Sequence, residues 1–183
     1  MNLQLFDQYF QMYDDKFEYS KVSRIRWVPE ERISTFMFIP VGKVGMYQLT
    51  IEFGDEPPVE LGMGGVPTGW ANFHGLGMQE FGALRESMKR LLAATLDVRL
   101  ARYRGELERN GNFEYDDVLF FSDGSAQRRG RRYALDLNTP PKAIATHTEI
   151  KCLPRGSITV KTDWDRDCFH ALLNDMHRAS AAR

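Results

Sequence analysis

An α+β fold of antiparallel sheets with segregated helices is what this 183-residue chain predicts, on three observations. The run 76–107 keeps one helical period without a break. The segments on either side of it alternate with a period of two and are punctuated by Gly, Pro, Asn and Asp turns. The resulting order, strands then helix and again strands then helix, gives two halves, 21–109 and 113–179, of one domain, preceded by an additional N-terminal amphipathic helix over 1–18.

The central helix carries apolar residues at Phe81, Leu84, Met88, Leu91, Leu92, Thr95, Leu96, Leu100, Tyr103 and Leu107. Those steps of three and four lay one stripe along an α-helix, with charges on its other side. Such a helix lies across a sheet or reaches a partner. Leu3, Phe6, Phe10, Tyr13 and Phe17 keep the same step, which predicts the N-terminal helix and gives it an aromatic stripe.

From Lys21 the period becomes two. Ile25 and Trp27 oppose Arg24 and Arg26, and the runs 33–39 and 46–53 complete a three-strand meander. A short strand over 59–63 follows Pro57-Pro58, which keeps it at an edge. The glycine-rich stretch 62–69 is a flexible connection, since no GK[ST] follows it and no strand-loop-helix fingerprint surrounds it.

Past the stop at Asn110-Gly111-Asn112, strands are expected at 115–121, 131–137, 146–153 and 157–161. A tight turn at Pro154-Arg155-Gly156 makes a hairpin of the last pair. Thr162 and Asp165 have the spacing of a capping box for a closing helix marked by Phe169, Leu172, Leu173 and Met176.

Apolar residues make up 43% of the chain, enough for a buried core. No apolar run approaches the about 20 residues of a membrane span, and the acidic, aromatic N-terminus does not resemble a signal peptide. The expectation is therefore a cytoplasmic protein with no membrane partner. Its two cysteines, Cys152 and Cys168, are expected to be buried thiols. The net charge of −1 sets up no global field for nucleic acid or an anionic membrane, so any such binding is local. Local candidates are Lys21, Arg24 and Arg26; Lys89 and Arg90; Arg99, Arg102 and Arg104; and Arg128, Arg129, Arg131 and Arg132 around Gly130. The helical ones are expected on a solvated face.

The order of elements resembles the Whirly family and the single-stranded-DNA-binding transcriptional coactivators that share its duplicated unit. The local likeness lies in each passage from strand to helix. Gly75-Leu76-Gly77-Met78 leads to Glu80-Phe81 and Leu84, and Gly156-Ser157-Ile158-Thr159-Val160 leads to Trp164, Phe169, Leu172 and Leu173. The resemblance implies a homo-oligomer paired through helices that presents sheet surfaces to single strands. Such binding needs cations along a backbone path and exposed aromatics for base stacking. The residues that supply them are Arg24, Arg26 and Trp27 on one strand, and Arg128, Arg129, Arg131, Arg132 and Tyr133 around the arginine loop.

Two other readings compete with this one. Glu149-Ile150-Lys151, with Asp136 on the preceding strand, resembles the PD-(D/E)xK nuclease core, where carboxylates hold Mg²⁺ and a lysine stabilises developing charge. Glu-x-Lys on a strand is also an ordinary solvent-side ion pair. The third reading is a protein interaction or assembly factor, inhibitory or accessory, acting through its aromatic and long helices. His147, Cys152, Cys168 and His170 lack a zinc spacing, and there is no GxSxG and no cysteine with an evident base. No metal or cofactor is therefore expected, and a non-catalytic binding role leads.

Overall fold

The computed structural model describes residues 3–62, 78–144 and 146–181. Most of the glycine-rich stretch 62–69, the first strand-to-helix passage before Met78, and His74 lie outside the described residues. The fold is mixed α+β, with antiparallel sheets, and it divides into two compact units, Met1–Thr95 and Leu96–Arg183. No described helix is long and apolar enough to cross a membrane.

The first unit opens on strands, which corrects the N-terminal helix expected over 1–18. β1 (Leu3–Leu5), β2 (Tyr9–Met12) and β3 (Asp15–Glu18) form an antiparallel meander. Phe10 and Phe17, two helical turns apart in the helical reading, are directly opposite each other across β2 and β3, and their rings stack with centroids 5.3 Å apart. The hydrophobic spacing is thus that of cross-strand neighbours folded back on themselves. Tyr13, at φ +56° between the paired Met12 and Asp15, makes the reversal.

A 3-10 turn at Tyr19–Lys21 leads to β4 (Arg24–Phe36), β5 (Ile39–Phe53) and β6 (Glu56–Gly62), a sheet in that order. The separate strand expected at 33–39 does not exist. β4 runs on through Pro29, which an edge strand tolerates because its missing N–H faces away from the ladder. The chain turns in the middle of the apolar run, at Met37 and Phe38. Ile25, Leu49, Ile51 and Phe53 alternate to the inner face and bury against Phe81, Met88 and Leu91 of α1 (Met78–Asn110). Fully burying each such side chain contributes about 1.5–3 kcal/mol.

Helix α1 stops where the sequence says it should. Gly111 at φ +71° returns its N–H to the Leu107 carbonyl at 2.9 Å, as a left-handed C-terminal cap does. In the second unit, the expected strand over 115–121 is a hairpin: β7 (Asn112–Tyr115) and β8 (Val118–Phe121), reversing at Asp116-Asp117. The arginine loop likewise contains β9 (Ser125–Arg128), paired with β10 (Arg131–Leu135). β11 (Lys142–Ile144) lies in the expected 137–146 connection, and β12 (His147–Leu153) pairs with it, with β10 and with β13 (Ser157–Lys161). α2 (Arg166–Ala181) closes the unit, burying Phe169, Leu172, Leu173 and Met176 against Tyr115, Phe120, Ile150 and Val160.

The capping box is not formed as expected. The Thr162 hydroxyl lies 3.2 Å from that of Thr148, between β13 and β12. Asp165 turns at φ +41° just ahead of α2, and its carboxylate is committed to α1.

Candidate functional site

The arginine loop is a tight hairpin. Arg128 pairs with Arg131, and the two residues between them, Arg129 and Gly130, have φ of +51° and +77°, the geometry whose twist suits a two-residue hairpin. Arg128 donates from Nε to Asp117 at 2.9 Å and from a terminal nitrogen to the Thr159 carbonyl at 2.9 Å. Arg132 donates to the Ser125 hydroxyl at 2.8 Å and to Asp123 at 2.7 Å, and its guanidinium lies over the Phe121 ring. Hydrogen bonding to Arg128 holds the Asp117 carboxyl below its usual range, and hydrogen bonding first to Ser125, then to Arg132, does the same for Asp123. Two of the four arginines are therefore neutralised where they stand. Among the described residues Arg129 and Arg131 make no ion pair within 4.0 Å, and Arg131 lies 5.3 Å from the Tyr133 ring centre.

Arg24, Arg26 and Trp27 belong to the other unit. Arg24 sits beside Glu52 at 3.9 Å, Arg26 is half-buried opposite Thr50, and Trp27 tilts onto Tyr47 at a centroid distance of 5.7 Å. Trp27 packs on the first unit's core, so its ring is a structural contact of the sheet.

Asp136 and the Glu149–Lys151 pair share one region of the β10–β12–β13 sheet, and each has its own side-chain partners. Asp136 receives the Thr139 hydroxyl at 2.7 Å and the Asn138 N–H at 3.1 Å, holding the turn after β10. Glu149 takes the Lys151 ammonium at 3.1 Å on the exposed face. Among the described residues no group of three or more His, Cys, Asp or Glu could hold a metal ion. Cys152 and Cys168 are both free and buried.

Two features escaped the sequence reading. Arg99, placed there among solvated helical cations, is wholly buried. It donates to Asp165 at 3.0 Å and to Asp167 at 2.8 Å, while the Tyr103 hydroxyl donates to Asp165 at 3.0 Å. The signal was present: Arg99 lies four residues after Thr95 and three after Leu96, on the apolar stripe itself, and its partners come from the acidic run Asp163, Asp165 and Asp167.

The second is the outer end of the β4–β5 hairpin. Among the described residues its outermost packed pair is Glu31 and Gly45. Glu31 accepts from Arg85 of α1 at 2.9 Å, and the Phe81 ring abuts Gly45 so closely that a Cβ there would stand 2.0 Å from it. Beyond that rung every described side chain is exposed. Ile33 is 63% exposed, Met37 76% and Phe38 99%, and Lys43, opposite Ile33, is exposed too. Met37 and Phe38 occupy the turn at φ +48° and +67°, where Gly or Asn normally sits because a bulky side chain is strained there.

No protein-family model, curated protein or solved structure matches this chain.

Proposed function

We propose that this protein is a non-catalytic binding protein that docks through the tip of its β4–β5 hairpin onto a surface offering an apolar seat and negative charge. One observation carries the reading: a braced hairpin holds Met37 and Phe38 outermost, in a turn that disfavours them, and leaves Phe38 99% exposed. Strain kept at an exposed site is a recognised mark of function, and large exposed apolar groups mark interaction surfaces. The long-helix and N-terminal contact surfaces of the sequence reading are thereby replaced by a strand-built one.

A photo-crosslinking residue placed at position 38 in growing cells tests this. Adducts at position 38, absent when the crosslinker sits at exposed Glu114, support a docked tip. No adduct at position 38 above that control removes the reading.

A second reading is single-stranded nucleic acid on the β9–β10 hairpin, favoured by Arg129, Arg131 and the Arg131–Tyr133 contact. It predicts salt-sensitive oligonucleotide binding, weakened by Arg129→Ala and Arg131→Ala more than by Arg128→Ala or Arg132→Ala. The ion pairs of Arg128 and Arg132 with Asp117 and Asp123 leave this reading fewer cations than the sequence offers.

A further inference from the structure

We propose that the β4–β5 tip is a membrane-surface anchor, inserting Met37 and Phe38 into the interface of a bilayer that carries anionic lipid. The proposal rests on reading the hairpin tip as the docking element, and three properties of the tip name its partner.

The first is charge. Beyond the Glu31–Gly45 rung the hairpin has no Asp or Glu, and exposed Lys43 stands there opposite Ile33. A molecule of net charge −1 thus presents, between the Glu31 rung and the tip, a cationic collar formed by exposed Lys43 behind an apolar point, complementary to anionic headgroups. The same collar disfavours a symmetric contact between two tips, which would bring like charges together.

The second is depth. Lys43 pairs with Ile33, and the turn-closing pair is Phe36 and Ile39, three residues further out along β4. At about 3.3 Å per residue the collar sits about 10 Å behind that last rung. Apolar faces of interfacial segments bury about 5–10 Å into the headgroup and acyl boundary. With Met37 and Phe38 in the apolar layer, the Lys43 ammonium is therefore level with the phosphates.

The third is direction. A protein groove receives one face or one edge of a strand, but here the two most exposed large apolar side chains among the described residues are the turn residues themselves, offered end-on. End-on presentation suits penetration of a planar surface. Below the collar, the Glu31–Arg85 ion pair and the Gly45–Phe81 contact brace the hairpin.

Flotation of the full chain with vesicles tests the proposal, comparing phosphatidylcholine alone with a mixture of phosphatidylcholine and phosphatidylglycerol. The protein is expected to float with the anionic vesicles and to lose about tenfold in binding on the neutral ones or on Lys43→Glu. The variant Met37→Asn with Phe38→Gly supplies the residues a tight hairpin turn prefers, so it folds at least as well as the parent. Its binding is nevertheless expected to drop at least tenfold. Equal binding to both vesicle types, or unchanged binding by that variant, overturns the proposal. If no vesicle binds while position 38 crosslinks to a protein in cells, the lipid assignment falls and the docking role stands. If neither occurs, both fall.

Discussion

Arg99 of the long helix and Asp167 at the start of the closing helix form a two-pronged pair, with contacts of 2.8 and 2.5 Å, inside the second unit. Burial opposes the arginine's charge, but hydrogen bonding and proximity to Asp167, together with Asp165, raise its pKa regardless. The pair fixes α1 to α2 by geometry that only a planar fork satisfies.

Removing the fork is therefore costly. Arg99→Ala leaves buried Asp165 with the longer, 3.9 Å contact to Arg102 in place of that with Arg99 and removes both guanidinium donors from Asp167, and the expected loss is about 3–5 kcal/mol of stability, read as a lowered urea midpoint. Arg99→Lys keeps the charge but not the paired donors, so it recovers only part of that loss. A midpoint unchanged in Arg99→Ala would show that the pair contributes nothing to the fold.

Gly45 has a different sensitivity. Its backbone is extended and paired with Glu31, yet a Cβ would meet the Phe81 ring at 2.0 to 2.4 Å. Gly45→Ala is expected to destabilise by about 1–3 kcal/mol through overpacking. Phe81→Leu opens space at the same place, so the double variant should lose less than the two single losses added together. Strict additivity in that cycle would mean that the ring does not bear on Gly45.

How much of this was legible in the sequence depends on which period a segment obeys. The long helix and the closing helix were readable because their stripes run over several turns. The N-terminal segment was misread because Phe10 and Phe17 are seven apart, a spacing shared by two helical turns and by two positions facing each other across a tight hairpin. Composition alone cannot separate those cases; the Asp14-Asp15 step beside Tyr13 was the available signal. The strand at 115–121 hid its hairpin in Asp116-Asp117 for the same reason. Met37 and Phe38 disguised their turn because neither is a turn residue. The arginines were found as a cluster, but their acid partners, Asp117 from β7–β8 and Asp123 from β8–β9, become neighbours only when the sheet assembles.

His170 couples stability to mild acid. Burial first, then the proximity of Arg166, holds its pKa below the ordinary value, with Asp167 opposing; its Nε2 lies 3.1 Å from the Thr148 hydroxyl. A histidine whose folded pKa is depressed favours the fold above its unfolded value of about 6.5. That contribution is lost as pH falls from there through the folded value. Urea midpoints measured at steps from pH 8 to 5 are expected to decline over that window in the parent and to decline less in His170→Gln. Parallel curves would assign the slope elsewhere.

The arginine hairpin offers a separable pair of titrations. Asp117 owes its lowered pKa chiefly to the hydrogen bond from Arg128, whereas Asp123 owes its own chiefly to Ser125 and only secondarily to Arg132. Carboxyl-carbon NMR should therefore find both groups titrating below about 3.9, the unperturbed aspartate value. Arg128→Ala is expected to return Asp117 towards that value without moving Asp123, and Ser125→Ala to move Asp123 more than Arg132→Ala does. The sign for stability follows: these depressed carboxyls favour the fold above their unfolded value, and the gain disappears as pH falls through the folded ones. Because both sit on the surface, added salt should pull their midpoints back towards the ordinary value. Insensitivity of Asp117 to the loss of Arg128 would mean that the ion pair does not persist in solution, and would return Arg128 to the set of cations open to a nucleic-acid backbone.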